Sequence, residues 1–599
     1  MQRVILLVFL VGCAGVPQGG SFQAPEVKPP PTFTAPSEIS KPKLRKVNLN
    51  GSLSKTIATA LIYALTDEEE KLKLLLEDNS LRASLDDYLF VTLFGLPKPL
   101  RFFSRARTYR DALTVILSNL KKDSSRPRKL PKSLAVRVEE VEGAFRPETA
   151  EEVSQNIRFG LDSLMILTRN KERNGEESFL MSDEILTRSI PDSRCLHLLL
   201  LTRYSEDTLF VRFRTVSFLH LYPEDETVSL FRLRRVEVVA NSSTVKRAVS
   251  EAADYLVRIQ KENGLFGYFY DAATDKFIEG ESYIRQAGTA CALLQVYDLT
   301  KERRYLTAAE KSLSFLRSVC KEHPQHKFAF IREPDGATTL GSAAVLLWAL
   351  ANHKDVTGSE EFAPVAHNLA SFLLFMQSSD GSFNTVYDPA TDSAMKTPVM
   401  FHPGEAVLAL ASAARSFKEE RYLNAAVKAY RALAAECAHR LKSEPYHIDA
   451  WLMKSANVLA PHLKSSDFDV VYSMANTLVA AQKALLESPY LDYRGAFSVK
   501  HGYPSAISDA ALCEGLAAAY SIAVSTSNLK AKEYADALKL QACFHLRHRI
   551  DRTNGHFLPN LERAYGAFIS SPFHLQVRID GVQHTISALL DSLPALPNE

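Results

Sequence analysis

Six short stretches between residues 283 and 584 gather polar residues with acid–base capacity, and each stands where an apolar helical pattern begins. They read Tyr283 and Arg285; Thr338 and Thr339; His402 and Glu405; His447, Asp449 and Trp451; Ser508 and Asp509; and Arg578, Asp580 and His584. Imidazoles and carboxylates that face one another move protons to and from a reacting group. Guanidinium forks and aromatic faces hold hydroxyl-rich or anionic ligands. His402, Glu405, His447, Asp449, Asp580 and His584 are therefore candidate catalytic groups, and Tyr270, Arg285, Tyr387, Trp451, Asp509 and Arg578 candidate ligand-binding groups. Each has a plainer reading. Asp449 and Asp509 suit helix N-caps, Glu405 suits a first turn whether or not it reacts, His402 precedes Pro403 in a loop, and Arg578 and Asp580 can pair with each other.

The elements that must position these groups are helices. From about Thr244 onward apolar residues recur at i, i+3, i+4 and i+7, between loops bearing Gly, Pro, Asp and Asn. The spacing predicts twelve helices, at 244–261, 284–298, 302–321, 338–353, 360–377, 403–416, 420–440, 447–459, 466–486, 505–526, 529–550 and 577–592. They alternate in character. "KERRYLTAAEKSLSFLRSV" and its odd-numbered companions are amphipathic; "LGSAAVLLWAL" and its even-numbered companions are small and apolar throughout. A helix apolar on all sides must be covered on all sides, so six helices enclosed by six others, an (α/α)6 toroid, is the expected arrangement.

An internal repeat supports a ring. "YLVRIQKENGLFGYFYDAATD" from Tyr255 matches "FLLFMQSSDGSFNTVYDPATD" from Phe372 without a gap, at an offset of 117 residues. The match continues from Arg285 and from His402 through Arg304-Tyr305-Leu306 and Arg421-Tyr422-Leu423. The segments Gln260-x3-Gly264-x-Phe266 and Gln377-x3-Gly381-x-Phe383 resemble the QW motif of terpene-cyclase and prenyltransferase toroids, with Phe in place of Trp. Similar helix-end loops occur in six-hairpin glycosidases and sugar epimerases. The resemblance implies that Gln260 and Gln377 are structural, that the inner helices run parallel, and that their starts share one rim where a site would lie. Terpene cyclases need a D-x-D-D acid, which this chain lacks. Sugar 2-epimerases of this architecture use a histidine pair, for which His402 with His447 or His584 are candidates. Glycosidases use two carboxylates, for which Glu405 with Asp449 or Asp580 are candidates. Thr274-Asp275 and Thr391-Asp392 read as Asx-type turns.

Residues 49–240 have a different texture, with helical stretches ("TYRDALTVILSNLKK") among β-rich ones ("YLFVTLFG", "LAVRVEEVEG", "GLDSLMILT", "HLLLLTRYS", "TLFVRFRTVSFLHLY"), which predicts an α+β domain. Their order loosely resembles the AMME-region protein domain, although Arg101-Phe102-Phe103 stands where that family has R-G-C-x-G. The expected chain is thus multidomain, an N-terminal α+β domain followed by an all-α (α/α)6 toroid over 244–599.

The N-terminal end, "MQRVILLVFLVGCAG", has the basic start and short apolar run of a secretory signal and is too short to span a bilayer. Leu10-Val11-Gly12-Cys13 resembles a bacterial lipobox, which implies a signal peptide over 1–12, a lipid on Cys13 and, with no aspartate at Ala14, the outer membrane facing the periplasm. The proline-rich residues 13–48 read as a tether. With 71 basic against 69 acidic residues nothing favours nucleic acid. The other six cysteines form no CxxC pair, so neither a metal site nor a cofactor is expected. The function expected is a lipid-anchored bacterial envelope protein whose toroid acts on a glycan as a hydrolase, lyase or epimerase, or else a non-catalytic scaffold for a glycan or a protein.

Overall fold

The computed structural model describes Lys43–Leu44 and residues 47–598, except 86, 128, 168–177, 189–192, 206–207, 445 and 499–501. The signal sequence, Cys13 and nearly all of the tether lie outside the described residues.

The first half is built on one antiparallel sheet. Its strands are β1 (Lys43–Leu44), β2 (Tyr88–Phe94), β3 (Leu100–Arg105), β4 (Leu134–Glu148), β5 (Asp162–Leu167), β6 (Ser178–Leu180), β7 (Leu209–Tyr222), β8 (Glu226–Phe231) and β9 (Arg234–Arg235). The main path runs β3-β2-β4-β7-β5-β6, with β1 on the end of β4 and β8–β9 beside β7. Lys43 and Leu44 pair with Ala144 and Gly143, so sheet structure begins before residue 49, inside the expected tether. Helices α1 (Gly51–Leu65), α2 (Glu69–Leu76), α3 (Tyr109–Lys122), α4 (Ala150–Asn156), α5 (Ser182–Arg188) and α6 (Ser193–Arg203) accompany the sheet. The stretch "HLLLLTRYS" was expected as a strand and is part of α6. A leucine run fits either period, and here Leu196 and Leu200, one turn apart, are the buried pair.

Among the described residues twelve helices of ten residues or more follow in two rings. The outer ones are α7 (Ser242–Arg258), α9 (Arg303–Val319), α11 (Ala363–Met376), α13 (Glu420–Arg440), α15 (Asp469–Leu486) and α17 (Ala531–His548). The inner ones are α8 (Tyr283–Thr300), α10 (Leu340–Thr357), α12 (His402–Phe417), α14 (Ala450–Leu459), α16 (Ala506–Ser525) and α19 (Ile579–Ser592); a short α18 (Leu561–Ala564) precedes the last. Each inner helix packs on the next, and α19 returns to α8, closing the circle. Burial follows the expected alternation. Nearly every side chain from Leu340 to Ala351 of α10 is buried, whereas α9 buries one stripe that includes Tyr305, Leu306, Ala309, Leu313 and Leu316. The helical half also carries short strands: β10 (Phe269–Asp271) with β11 (Lys276–Ile278), β12 (Cys320–Glu322) with β13 (Ala329–Ile331), and β14 (Val386–Asp388) with β15 (Ser393–Met395) form hairpins, and β16 (Gln576–Arg578) pairs with β10. Among the described residues α16 alone is long and apolar enough to cross a membrane, and it is an inner helix that is mostly buried.

Each repeat glutamine ties its helix end to the following loop and to the next outer helix. Gln260 Nε2 donates to Gly264 O (2.9 Å) and to Ala308 O on α9 (2.8 Å); Gln377 Nε2 donates to Gly381 O (3.4 Å) and to Ala425 O on α13 (3.0 Å). A third tie, hidden by a longer loop, joins Gln482 Nε2 to Gly495 O (2.8 Å) and to Ala537 O on α17 (3.0 Å). The glycine in each loop has a positive φ and presses on the next outer helix. A Cβ on Gly264 (φ 93°) would stand 2.5 Å from Lys311 O, and one on Gly566 (φ 86°) would stand 2.1 Å from Glu251 O.

Residues 42–599 form one compact unit, so the change of texture near residue 240 does not separate two cores. Phe94, Ala135, Leu219, Leu221 and Leu233 belong to the same apolar cluster as the ring helices. Arg232 Nε reaches Asp492 Oδ2 at 2.7 Å, a buried ion pair between the two halves, and His556 lies edge-on to Phe94 with ring centres 4.8 Å apart.

Candidate functional site

Four of the six inner helices have first-turn N–H groups taken by side chains, while α12 and α19 have no side-chain cap, which changes what that rim offers. Asp449 Oδ1 accepts the Leu452 N–H (3.0 Å), Thr339 accepts that of Ser342 (3.2 Å), and Ser505 that of Ser508 (3.4 Å). Glu333, a residue the sequence patterns did not single out, accepts the N–H groups of Tyr283 and Ile284 (2.8 and 3.0 Å). Protein oxygens thus occupy donors that helix dipoles alone made attractive to anions.

Tyr270, Tyr387 and Asp509 correct the expectation of ligand contact. Tyr270 and Tyr387 are buried, and their hydroxyls donate to Asp275 and Asp392, each across 2.9 Å. Both carboxylates lie in left-handed turns (φ 54° and 50°), so the repeated Tyr…Asp pair locks a hairpin. Asp509 is fully buried, and Oδ1 accepts the Phe497 N–H at 3.3 Å. Burial pushes its carboxyl well above the usual range, partly opposed by N–H groups of Phe497 and Ser498.

The remaining candidates fall into two groups. In the first, Gly341 of α10 makes room for His402 and Glu405. A Cβ there would lie 2.5 Å from Glu405 Oε2 and 2.8 Å from His402 Nε2. A Cβ on Gly404 would in turn lie 2.7 Å from Asp449 Oδ1. Burial, with Asp449 as a like-charged neighbour, pushes Glu405 up to about 8. Burial takes Asp449 up to about 7 against the pull of the Leu452 and Trp451 N–H groups. His402 is held down to about 4 by burial. His447 and Asp449 line a side pocket of about 450 Å³ between α13 and the 381–403 loop, with Glu436, Arg440 and Lys396 also in its wall.

The second group spans the ring. Tyr268 touches Arg285, whose Nε reaches Asp580 Oδ2 at 3.0 Å. Arg578 meets the same carboxylate through two nitrogens, at 2.6 and 2.7 Å. Burial would raise Asp580, but Arg578, Arg285 and His584 hold it below the usual carboxylate range. One turn deeper His584 Nδ1 lies 2.6 Å from Glu514 Oε1, and Glu514 Oε2 contacts the Lys454 ammonium. Burial opposes the charge on Glu514, and Lys454 and His584 outweigh it. The ammonium sits over the rings of Trp348 (4.7 Å) and Trp451 (5.3 Å), and the Trp451 and His584 ring centres are 5.9 Å apart.

Exposure decides which of these a ligand meets. Arg285 keeps 31 %, Arg578 24 % and His584 15 % of their side-chain surface, whereas Lys454 keeps 10 % and Glu514 3 %. Arg285, Arg578 and His584 are thus the members that solvent reaches, and Trp348, Trp451, Lys454 and Glu514 are largely covered. The donor set follows. A carboxylate accepting from Nδ1–H orients the imidazole, leaves Nε2 as a proton acceptor and supports the charged form that results. Glu514, Lys454, Trp348 and Tyr268 escaped the sequence reading because they lie beyond the first turn of their helices or in the preceding loop. The spacing of Lys454 and Glu514, each paired inside an apolar helix, was the signal available.

No protein-family model matches the chain, and no curated protein matches it. Among solved structures it is similar to the cellobiose 2-epimerase of Spirochaeta thermophila (14 % identity, TM-score 0.44, 59 % of this chain and 97 % of that one). It is also similar to a D-mannose isomerase (14 %, 0.44, 59 % and 98 %). A third is a family 76 glycoside hydrolase from a bovine Bacteroides thetaiotaomicron strain (10 %, 0.42, 78 % and 96 %).

Proposed function

We propose that the ring acts on a glycan by proton transfer, with His584 as the general base at its mouth. The observation that carries this reading is the His584–Glu514 hydrogen bond of 2.6 Å, held by the buried ammonium of Lys454. Arg285 and Arg578 supply fixed donors for sugar hydroxyls, Trp451 supplies a flat apolar edge, and Glu514 keeps Nε2 of His584 available to the substrate. One imidazole oriented by one carboxylate suits abstraction of a proton next to a sugar carbonyl better than a pair of solvent-facing acids would.

The test is incubation with reducing disaccharides such as cellobiose and mannobiose in D2O, read by proton NMR. Deuterium entering the sugar, and lost in His584→Asn, is the expected result; no incorporation and no new reducing ends would overturn catalysis. A second reading, a glycan-binding scaffold, is favoured by the covered indoles, for Trp348 and Trp451 are each only 8 % exposed. It gains if the sugars bind without turnover. We further propose that Cys13 carries a lipid which anchors the chain in a bacterial envelope membrane, the outer one facing the periplasm, through the proline-rich tether.

A further inference from the structure

The two copies of the repeated hairpin differ in what neutralises their turn aspartate. Asp275 and Asp392 are equivalent, 117 residues apart, and each accepts a tyrosine hydroxyl across 2.9 Å. In the first copy the preceding outer-to-inner loop of the ring supplies Arg563, with Nη1 2.7 Å from Asp275 Oδ1, and Asn560, 3.1 Å from Oδ2. In the second copy the loop at the same place in the ring supplies two histidines. His323 Nε2 lies 3.5 Å from Asp392 Oδ1, and His326 Nε2 lies 3.2 Å from Oδ2. A permanent cation has been replaced by two imidazoles.

We propose that His323, His326 and Asp392 bind a divalent transition-metal ion of the zinc or nickel class, which takes the place of Arg563 and staples the hairpin β12–β13 to the hairpin β14–β15. One ligand atom from each residue lies within 4.8 Å of the others. Tetrahedral bonds of about 2.0–2.1 Å give ligand separations of about 3.3–3.4 Å; the two His–Asp distances are near this but end on different oxygens, so the Asp392 carboxylate turns to bring one oxygen between the imidazoles or binds through both. Two imidazoles and a carboxylate suit zinc, nickel or copper rather than calcium or magnesium, and water completes the shell on the exposed side. Second contacts already fix two of the three ligands. Tyr387 holds Asp392, while His326 stacks on Phe328 with ring centres 5.4 Å apart and planes 10° from parallel. His323 Nδ1 accepts the N–H groups of Gln325 and His326 (3.1 and 3.0 Å). Coordination through Nε2 therefore moves the ring proton to Nδ1 and releases those two amides to water at the hairpin tip. The cysteines, which argued against a metal, take no part. The site is independent of the glycan reading.

The experiment is calorimetric titration of the chelator-treated full chain with ZnCl2, and separately NiCl2, beside His326→Ala, Asp392→Asn and His326→Arg. One saturable site per chain is expected, weakened at least tenfold in the first two variants, with a thermal midpoint that zinc raises by several degrees in the wild type only. His326→Arg, which imitates Arg563, is expected to lose the zinc response while melting at or above the metal-free wild type. His326 and Asp392 are partly exposed, and circular dichroism checks that the variants fold. Absence of saturable binding, or equal affinity in the wild type and in His326→Ala and Asp392→Asn, overturns the proposal and leaves a hydrogen-bonded staple without metal.

Discussion

His584 donates from Nδ1 to Glu514 Oε1 across 2.6 Å, joining two inner helices that are neighbours in the ring. The far oxygen of the same carboxylate holds the Lys454 ammonium. Lys454 and Glu514 are almost wholly buried, so each charge leans chiefly on the other, with Asp591 near Lys454 and His584 on Glu514 as further partners.

Glu514→Gln strands the Lys454 ammonium and is expected to cost about 3–5 kcal/mol. Adding Lys454→Met removes the stranded charge and should recover most of that loss. Urea denaturation of the two single variants and the double variant tests this; a loss below about 1 kcal/mol for Glu514→Gln would refute the coupling.

Glu405 has a folded-state value of about 8 against an ordinary 4.5, so the native state binds the proton more tightly than the unfolded chain. Its contribution is full below pH 4.5 and is lost as pH rises through 8. Glu405→Gln should therefore change stability little at pH 4.5 and raise it by roughly 2–5 kcal/mol near pH 9. Denaturation midpoints at the two pH values check the sign.

His545 and His556 behave oppositely, for burial holds both down to about 3, with Arg137 adding to the effect at His556. They remain neutral in the fold while the unfolded chain takes up protons below about 6.5. Their share of stability is present above that value and is lost as pH falls towards 3. His545→Leu should flatten this acid limb by a few kcal/mol, read from midpoints at pH 7, 5 and 4. An unchanged limb would place the acid sensitivity elsewhere.

The glutamine ties are expected to be structural and alike. Gln260→Leu and Gln482→Leu each remove two hydrogen bonds to backbone carbonyls and should lower stability by about 1–3 kcal/mol. Gly264→Ala adds a Cβ against Lys311 O at a positive φ and should cost a similar amount or more. Sugar affinity of the folded variants, measured by calorimetry, should stay within twofold of the wild type.

Cys13→Ser should move the chain from the membrane fraction to the soluble periplasmic fraction of the cells that make it. An unchanged distribution on immunoblots of the fractions ends the lipid-anchor reading.

Much of the ring was legible in the sequence because its physics is periodic. An inner helix such as Leu340–Thr357 is covered on all sides and announces this by being apolar on all sides. The 117-residue repeat marked two glutamine ties, since there the tie is local: Gln260 and Gly264 are four residues apart. The third tie spans thirteen residues, from Gln482 to Gly495, and left no pattern to find. The leucines of α6 misread as a strand for a related reason, because a short apolar run does not choose between two periods.

The sequence by itself determined which helix starts carry acid–base groups; that they share one rim was what the toroid resemblance implied, through parallel inner helices. Only the tertiary structure decided which of those groups stay exposed and which are buried against partners. Tyr270 and Tyr387 are turned into hairpin locks and Asp509 into a tie to the Phe497 loop, since a buried polar group takes the nearest partner. Lys454, Glu514 and His584 meet although 130 residues separate the first from the last. Closure of the ring brings them together, and no local pattern records that closure.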